Sequence, residues 1–209
     1  MSKVVVMDHP LIQHKLTMLR NKETGSKDFR KMVAEIAMLM CYEATADMKL
    51  EDAPVTTPIE ETVGDKLKGK EIAVIPVLRA GLGMVNGIIK LMPHAKEGHI
   101  GIYRDPELEE PIEYYCKLPD DCAERDVLLL DPMIGSGRTA SAAIDLLHEK
   151  GIRHIKLMCL CIAPAGVERL TTEHPDVDLY IASIDEGISD SGYVSPGLGD
   201  AADRMFGTK

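Results

Sequence analysis

The chain has 209 residues, 45% of them hydrophobic and 28% charged, which is typical of one ordinary globular domain with a substantial core. Its net charge of -10 argues against nucleic acid or an anionic membrane as the main partner. No apolar run approaches the roughly 20 residues of a membrane span. The 5 cysteines form no C-x-x-C pair and we find no signal peptide, so we expect a cytoplasmic location.

The first third of the chain predicts two helices and an arm. Val4–Val6 is a short apolar start, residues 11–19 predict a short helix, and Ser26 is the predicted N-cap of a long one. An apolar stripe at helical spacing runs along that helix and predicts core or a subunit seam: Met32, Val33, Ile36, Leu39, Met40 and Ala44. Residues 55–61, which include Pro58, predict an edge strand or irregular arm.

Strands and helices alternate from residue 71 to residue 184. Buried strands are predicted at 71–78, 99–103, 127–130, 155–162 and 179–184, and helices end at residue 91 or span 140–148 and 165–173. This alternation predicts an α/β fold with a doubly wound, mostly parallel sheet. Residues 105–125 carry many charges and prolines, and they predict a solvent-exposed β-hairpin arm with a mobile tip near residues 107–110.

The most informative stretch is a strand, a small turn and a helix. Asp131 directly follows the apolar strand, and the turn into the helix holds two glycines and two hydroxyl residues: Gly135, Ser136, Gly137 and Thr139. Free amides at such a turn and helix N-terminus bind anions. No lysine precedes the hydroxyl residue, so this is not a Walker A loop. An ionised Asp131 accepts sugar hydroxyls, so the stretch predicts a ribose phosphate site; the alternative is an ordinary buried strand with a capped helix.

A second glycine-rich turn follows the strand at 71–78. Gly81, Gly83 and Gly87 imitate a dinucleotide fingerprint, but Arg79 and Ala80 separate the strand from the glycines. The other interpretation is a second anion pocket, in which Arg79 supplies a bidentate cation. The alternative to an anion pocket is that Arg79 forms an ordinary ion pair on the surface.

The last stretch, residues 185–204, is rich in glycine, serine and aspartate but poor in lysine. Four apolar or aromatic residues recur through it and just beyond it: Tyr193, Val194, Leu198 and Phe206. A disordered tail seldom keeps such spacing. We therefore predict an ordered loop that leads into a short final helix.

These stretches resemble the motifs of the uracil-specific branch of the type I phosphoribosyltransferase family. Residues 127–139 resemble its phosphoribosyl pyrophosphate loop, residues 77–84 match V-L-R-A-G-L-G-M, and Tyr103-Arg104 matches its Y-R-[DN] position. The tail resembles G-Y-[IV]-x-P-G-L-G-D-A-G-D-[RK]. The chain departs from the pattern at four positions, where the family has Ala, Thr, Gly and Gly: Gly135, Ser136, Arg138 and Ala202.

The resemblance implies one phosphoribosyltransferase domain over residues 1–209, with N-terminal helices and an arm (1–70), an α/β core (71–184) and a C-terminal uracil-recognition hood (185–209). It implies conversion of uracil and 5-phospho-alpha-D-ribose 1-diphosphate to UMP and diphosphate in pyrimidine salvage. The implied catalytic residues are Asp131, Arg104 and Asp200. The implied phosphoribosyl pyrophosphate contacts are Arg79, Arg104, Asp131, Pro132, Met133, Ile134, Gly135, Ser136, Gly137, Arg138, Thr139 and Asp200. The implied uracil contacts are Val194, Gly199, Asp200 and Ala201.

The resemblance also implies Mg²⁺, held mainly by substrate and water, with Asp131 or Asp200 helping through water and no direct protein ligand. Some relatives respond to GTP, and relatives form homodimers or larger homo-oligomers. Two alternatives stay open. A nucleotide-binding regulator of RNA would need a basic face, which the net charge of -10 disfavours, and a purine substrate is disfavoured by the tail motif.

Overall fold

The computed structural model describes residues 2–104 and 110–208, and of Arg104 it describes the backbone alone. The first half contains β1 (Val4–Val6), α1 (Pro10–Arg20), α2 (Ser26–Ala44), β2 (Leu50–Thr56), β3 (Glu61–Leu67), β4 (Ala73–Leu78), α3 (Leu82–Leu91), β5 (Lys96–Glu97), β6 (His99–Arg104) and β7 (Pro111–Lys117). The second half contains a 3-10 turn (Cys122–Glu124), β8 (Val127–Leu130), β9 (Met133–Ile134), α4 (Arg138–Glu149), β10 (Ile155–Ile162), α5 (Pro164–Glu173), β11 (Asp178–Ile184), β12 (Gly187–Ile188), β13 (Val194–Ser195) and α6 (Ala201–Phe206). Among the described residues, no helix combines the length and apolar character that crossing a bilayer requires.

Nine strands of the described chain form one sheet, whose main path runs β1-β11-β10-β8-β4-β6-β7. The short strands β5 and β9 pair with β4 and β10. Every pairing in this sheet is parallel except that of β6 with β7. Parallel neighbours need long crossovers, and α3, α4 and α5 provide them between β4 and β6, β8 and β10, and β10 and β11. The predicted α/β fold with a mostly parallel sheet is therefore confirmed.

Helices cover both faces of the sheet. In β8, Leu128 and Leu130 pack into the core shared with α1, α2, α3 and α6, whereas Val127 and Leu129 pack into the core shared with α4 and α5. Alternate side chains of a strand point to opposite faces, so a strand buried on both faces is apolar throughout. This explains why the uninterrupted run at 127–130 was a reliable strand signal.

The methionine-rich stripe of α2 lies in the core of the chain. Met32, Val33, Ile36, Met40 and Ala44 are all buried, so the core interpretation is confirmed for them and they are not available for a subunit seam. The predicted start of α2 was wrong by one residue. Gly25 is the N-cap and makes no side-chain capping bond, and the helix begins at Ser26.

The free-standing hairpin lies earlier in the chain than predicted. β2 and β3 pair with each other, apart from the main sheet. Residues 55–61, predicted as an edge strand or irregular arm, are the closed end of this longer hairpin, so the arm is regular and extends further than predicted. Its exposed apolar side chains are Leu50, Val55, Ile59, Val63 and Leu67. The antiparallel pairing predicted near 105–125 is present, but its second strand, β7, is the edge of the main sheet. Of the tip predicted near 107–110, only Glu110 lies within the described residues.

Candidate active site

A cleft of about 570 Å³ lies where the carboxyl ends of β4, β6 and β8 meet. Such edges collect ligand sites in open α/β sheets, because the loops that follow neighbouring strands converge there. Three separate stretches contribute lining residues: 77–80 at the end of β4 and just after it, 131 and 133–140 after β8, and 192–193 with 199–202 from the tail. The three motifs singled out in the sequence therefore come together at one place.

The turn after β8 forms one wall of the cleft. The residues of this turn at the cleft are Met133, Ile134, Gly135, Ser136, Gly137, Arg138 and Thr139. Gly137 is the N-cap of α4 with φ of 80°, a left-handed conformation that favours glycine, and no side chain of the described residues caps the helix. The amides of the first turn of α4 are therefore available to an anion.

Pro132 has a different position from the rest of this turn. Its carbonyl accepts hydrogen bonds from the amides of Leu160 and Cys161 at 3.2 and 3.0 Å, which tie it to β10. It is not among the residues that line the cleft. Its expected substrate contact therefore stays a prediction, and its visible role is to fix the turn on the sheet.

Asp131 lies at the bottom of the cleft and is 9% exposed. Its Oδ1 accepts a hydrogen bond from the amide of Met133 at 3.3 Å. Burial raises the pKa of this carboxyl to about 7, and the hydrogen bond opposes that rise only in part. The ionised form of Asp131 that the sequence predicted is therefore dominant only above about pH 7.

Arg79 lines the cleft beside the turn, directly after a cis peptide bond that joins it to Leu78. Its Nη2 lies 3.3 Å from Oδ1 of Asp203 in α6. The ion pair and the position at the cleft therefore coexist, and the sequence analysis had treated them as alternatives. Arg104 ends β6 next to the cleft residue Tyr103, but its side chain, and so its predicted role, lies outside the described residues.

The glycines after β4 serve close packing. A Cβ on Gly81 would lie 2.8 Å from the amide nitrogen of Val77, and a Cβ on Gly87 would overlap the backbone of Ala34 in α2. A Cβ on Gly83 would overlap the sulfur of Met205 in α6. Close approach of neighbouring backbones and side chains thus accounts for the glycine pattern without a dinucleotide.

The tail forms the opposite wall of the cleft, and the ordered loop with a short final helix is confirmed. Gly199, Asp200 and Ala201 line the cleft. Asp200 also caps α6, since its Oδ1 accepts a hydrogen bond from the amide of Asp203 at 2.9 Å. Val194 is buried in the core beneath the tail and is not among the lining residues, so its predicted uracil contact stays a prediction.

A buried ionic network that the sequence analysis missed holds this tail. Arg20 donates two hydrogen bonds to the carboxylate of Asp185, which also accepts from the hydroxyl of Ser183 and the amide of Gly197. Burial opposes the charge on Asp185, but these donors outweigh it and hold its pKa below the usual range. No local pattern could reveal a pair 165 residues apart in the chain.

Several lining residues were also missed. They lie near the end of β6, at the start of β7, in the first turn of α4 or in the tail loop: Ile102, Tyr103, Pro111, Ala140 and Gly192. For those on strands, the only signal in the sequence was the position of their strands in the predicted sheet. The end of the strand after α3 adjoins the end of β4 in a parallel sheet, so residues 102–103 could have been inferred from sheet order.

Comparisons with known proteins agree along the whole chain. The sequence profile of the family described as uracil phosphoribosyltransferase matches residues 6–208. A uracil phosphoribosyltransferase of Agathobacter rectalis is 59% identical over 209 residues, and one of Finegoldia magna is 58% identical, with 100% of each chain covered in both cases. The solved structure of the AQ2163 protein from Aquifex aeolicus superposes with a TM-score of 0.90 at 35% identity, covering 97% of each chain.

Proposed function

The chain belongs to the uracil phosphoribosyltransferase family, and we propose that its cleft transfers the phosphoribosyl group of 5-phospho-alpha-D-ribose 1-diphosphate to uracil, giving UMP and diphosphate. The observation that carries this assignment is the meeting of the turn after β8, Asp131 and the tail in one cleft. We further propose that residues 1–70, 71–184 and 185–209 act together as one domain.

We propose that the 5-phosphate of the sugar binds the turn at 135–139. The uncapped N-terminus of α4 and the left-handed Gly137 support this, because both leave amide groups open to an anion. Asp131 lies directly after β8, before this turn, and would accept the ribose hydroxyls when ionised. A sugar phosphate spanning the two would set its C1 towards the tail.

We propose that the backbone of the tail recognises uracil. Gly199 and Ala201 line the cleft, and Gly199 has φ of 70° in a loop whose Gly197 is fixed by Asp185. A rigid backbone offers amide and carbonyl groups to the two carbonyls and the N3–H of uracil at fixed positions. Ala202, where the family has glycine, lies in the first turn of α6 and also lines the cleft.

We propose Mg²⁺ as the cofactor. The carboxylates of Asp131 and Asp200 line the cleft, and no histidine or cysteine of the described residues does so, which suits a hard cation with oxygen ligands. Bound to the diphosphate, the ion would neutralise charge on the leaving group. Asp131 or Asp200 would hold one of its waters.

The chain's own residues would then act by position and charge. Departure of diphosphate from C1 leaves positive charge on the ribose ring, while Arg79 and Arg104 offset the negative charge of the leaving group. Uracil held against C1 by the tail reacts in place of water: its N1 bonds to C1 as the bond from C1 to the diphosphate oxygen breaks, and the N1 proton leaves to the diphosphate or to solvent. No covalent enzyme intermediate is required.

We also propose that the protein works as a homodimer or larger homo-oligomer. The stripe of α2 does not support this, because it is buried in the core. The free-standing hairpin of β2 and β3 does, since a run of exposed apolar side chains on one arm is typical of a contact surface. Sedimentation of the whole chain and of Ile59→Lys tests this assembly.

We make two further proposals: that the protein is located in the cytoplasm, and that GTP activates it. All 5 cysteines are free thiols, which favours the reducing cytoplasm. GTP as an activator is tested by measuring the rate with and without the nucleotide.

The decisive experiment is product detection with uracil, phosphoribosyl pyrophosphate and Mg²⁺. We expect UMP and diphosphate in equal amounts, with cytosine and hypoxanthine giving no nucleotide. Nucleotide formed from hypoxanthine but not from uracil would overturn the base assignment. A gel shift with RNA tests the alternative of a nucleic-acid-binding regulator.

A further inference from the structure

A group of metal-ligating side chains lies on the far part of α4, away from the cleft. Asp145 and His148 are one helical turn apart and therefore on one face of α4, and His174 follows directly after α5. One ligand atom from each of the three lies within 4.8 Å of the others. None of the three lines the cleft, so this group is separate from the proposed substrate and Mg²⁺ site.

The histidine in the middle of the group has an unsatisfied nitrogen. Nε2 of His148 is buried and has no hydrogen-bond partner among the residues that the structure describes. A carboxylate oxygen of Asp176 lies 3.2 Å away but without hydrogen-bond geometry. A buried polar atom with no partner is costly and calls for an explanation, and a bound cation is one that adds a bond.

His174 is already oriented by a second layer of groups. Its Nε2 is 2.7 Å from the hydroxyl of Ser141, which in turn donates to Glu173 at 2.7 Å. This hydrogen bond occupies one of the two ring nitrogens, so a cation would bind the other, an arrangement common in metal-binding histidines.

We propose that Asp145, His148 and His174 bind one divalent transition-metal ion, with Zn²⁺ as the type, and that the ion ties α4 to the end of α5. Two imidazoles and a carboxylate form a nitrogen and oxygen donor set that suits this class and not Mg²⁺ or Ca²⁺. Bonds of about 2.0–2.2 Å need ligand atoms about 3–4 Å apart, so the three ligand atoms, which lie within 4.8 Å of one another, would move slightly closer around the ion. The carboxylate of Asp176 adds negative charge beside the site.

The test is metal binding to the full-length protein, stripped with chelator and kept reduced. Equilibrium dialysis against Zn²⁺ in excess Mg²⁺ measures ions per chain, and the visible absorption of Co²⁺ reports nitrogen coordination. We expect about one ion per chain for the wild type. His148→Asn and Asp145→Asn should each weaken binding at least tenfold and abolish the rise in melting temperature that Zn²⁺ produces.

The matched control is His94→Asn, which removes an exposed histidine far along the chain from the group. It should bind Zn²⁺ as the wild type does. Asp145 is exposed, so its variant tests the site even if His148→Asn fails to fold. Absence of saturable binding to the wild type would overturn the proposal, as would equal binding by Asp145→Asn or equal loss in His94→Asn.

Discussion

Arg20 and Asp185 form a partly buried two-point ion pair beneath the tail, with Nη1 2.8 Å from Oδ2 and Nη2 2.6 Å from Oδ1. The same guanidinium donates to the carbonyl of Gly197 at 3.0 Å, and the same carboxylate accepts from its amide at 2.8 Å. Both polar groups of one glycine are thus held by one ion pair. The loop that carries Gly199 and Ala201 into the cleft starts from this fixed point.

Arg20→Met should destabilise the chain and weaken uracil binding. The carboxylate of Asp185 is 1% exposed, and removal of its partner leaves a buried charge with only Ser183 and Gly197 as donors. We expect a loss of about 3 kcal/mol in the free energy of unfolding, measured in urea, and a KM for uracil raised several-fold. Lys66→Ala breaks the exposed pair with Glu51 and should change stability by less than about 1 kcal/mol. Equal effects of the two variants would contradict the anchoring role.

Asp131→Asn should lower enzymatic turnover and raise the stability of the fold above about pH 4. We expect turnover to fall about 100-fold, because the amide loses the negative charge and replaces one of the two acceptor oxygens with an NH₂ donor that cannot accept a ribose hydroxyl. The folded pKa is about 7 against an ordinary 3.8, so folding carries a cost that is absent below about pH 4, grows between pH 4 and 7 and is complete above pH 7. At roughly 1.4 kcal/mol per pKa unit, the variant should be more stable at pH 8 by up to about 4 kcal/mol and unchanged at pH 4.

Asp126→Asn is the matched control for that variant. Asp126 is exposed and directly precedes β8, whereas Asp131 directly follows it. We expect no change in turnover and little change in urea unfolding at either pH. Full turnover by Asp131→Asn would refute the sugar-binding role of the carboxylate.

Affinity for phosphoribosyl pyrophosphate should rise with pH and level off above about pH 7. The reason is that the ionised form of Asp131, which accepts hydroxyls, becomes dominant as the pH passes the raised pKa of about 7. Calorimetric titration at pH 6 and pH 8 should show a several-fold difference for the wild type. Asp131→Asn should lose the part of this difference that is not due to the substrate's own phosphates, and an identical pH profile for both proteins would contradict the assignment.

Arg79 and Asp203 allow a test of whether the ion pair or the substrate contact matters. Arg79→Ala should lower kcat/KM for phosphoribosyl pyrophosphate by about 10- to 100-fold, since a cation at the leaving group is lost. Asp203→Asn breaks the same ion pair but keeps the guanidinium at the cleft, so it should retain most activity. If the pair were only structural, the two variants would lose similar activity and similar stability.

The turn after β8 contains a matched pair of glycines. Gly137→Ala should cost about 1 kcal/mol or more and raise the KM for phosphoribosyl pyrophosphate, because φ is 80° and a Cβ would lie 3.3 Å from Gly166. Gly135→Ala should be nearly neutral, since the nearest atom to its Cβ would be 3.6 Å away. Melting temperature and substrate titration measure both. Greater damage from Gly135→Ala would mean that position 135 itself touches the substrate.

The parts of the fold that sequence could predict are those in which local pattern and burial agree. β8, Asp131, the turn and α4 follow one another within a short stretch, so strand periodicity, turn chemistry and helix start all report on the same place. The hairpin of β2 and β3 escaped prediction because its residues face water on most positions, with Pro54 inside a strand. Periodicity cannot reveal a strand that packs against no core.

The site was predicted where single motifs define it and missed where distant residues do. Asp131, Gly199 and Asp200 each lie in a motif, and all three line the cleft. Arg20 contacts Asp185, and His148 contacts His174. Both contacts depend on how the helices pack against the sheet. Those contacts join residues that no window of the sequence contains together.

The distance along the chain between the three walls of the cleft has a consequence for how activity is acquired. Arg79 lies in the first half of the chain, Asp131 in the second half and Asp200 at the start of the last helix, and each is positioned only once its neighbours are paired. No fragment that lacks the last stretch holds all three. During refolding, the far-ultraviolet signal of helices and strands should therefore recover before the first molecule of nucleotide is made, so enzymatic turnover serves as a stringent reporter of the completed chain.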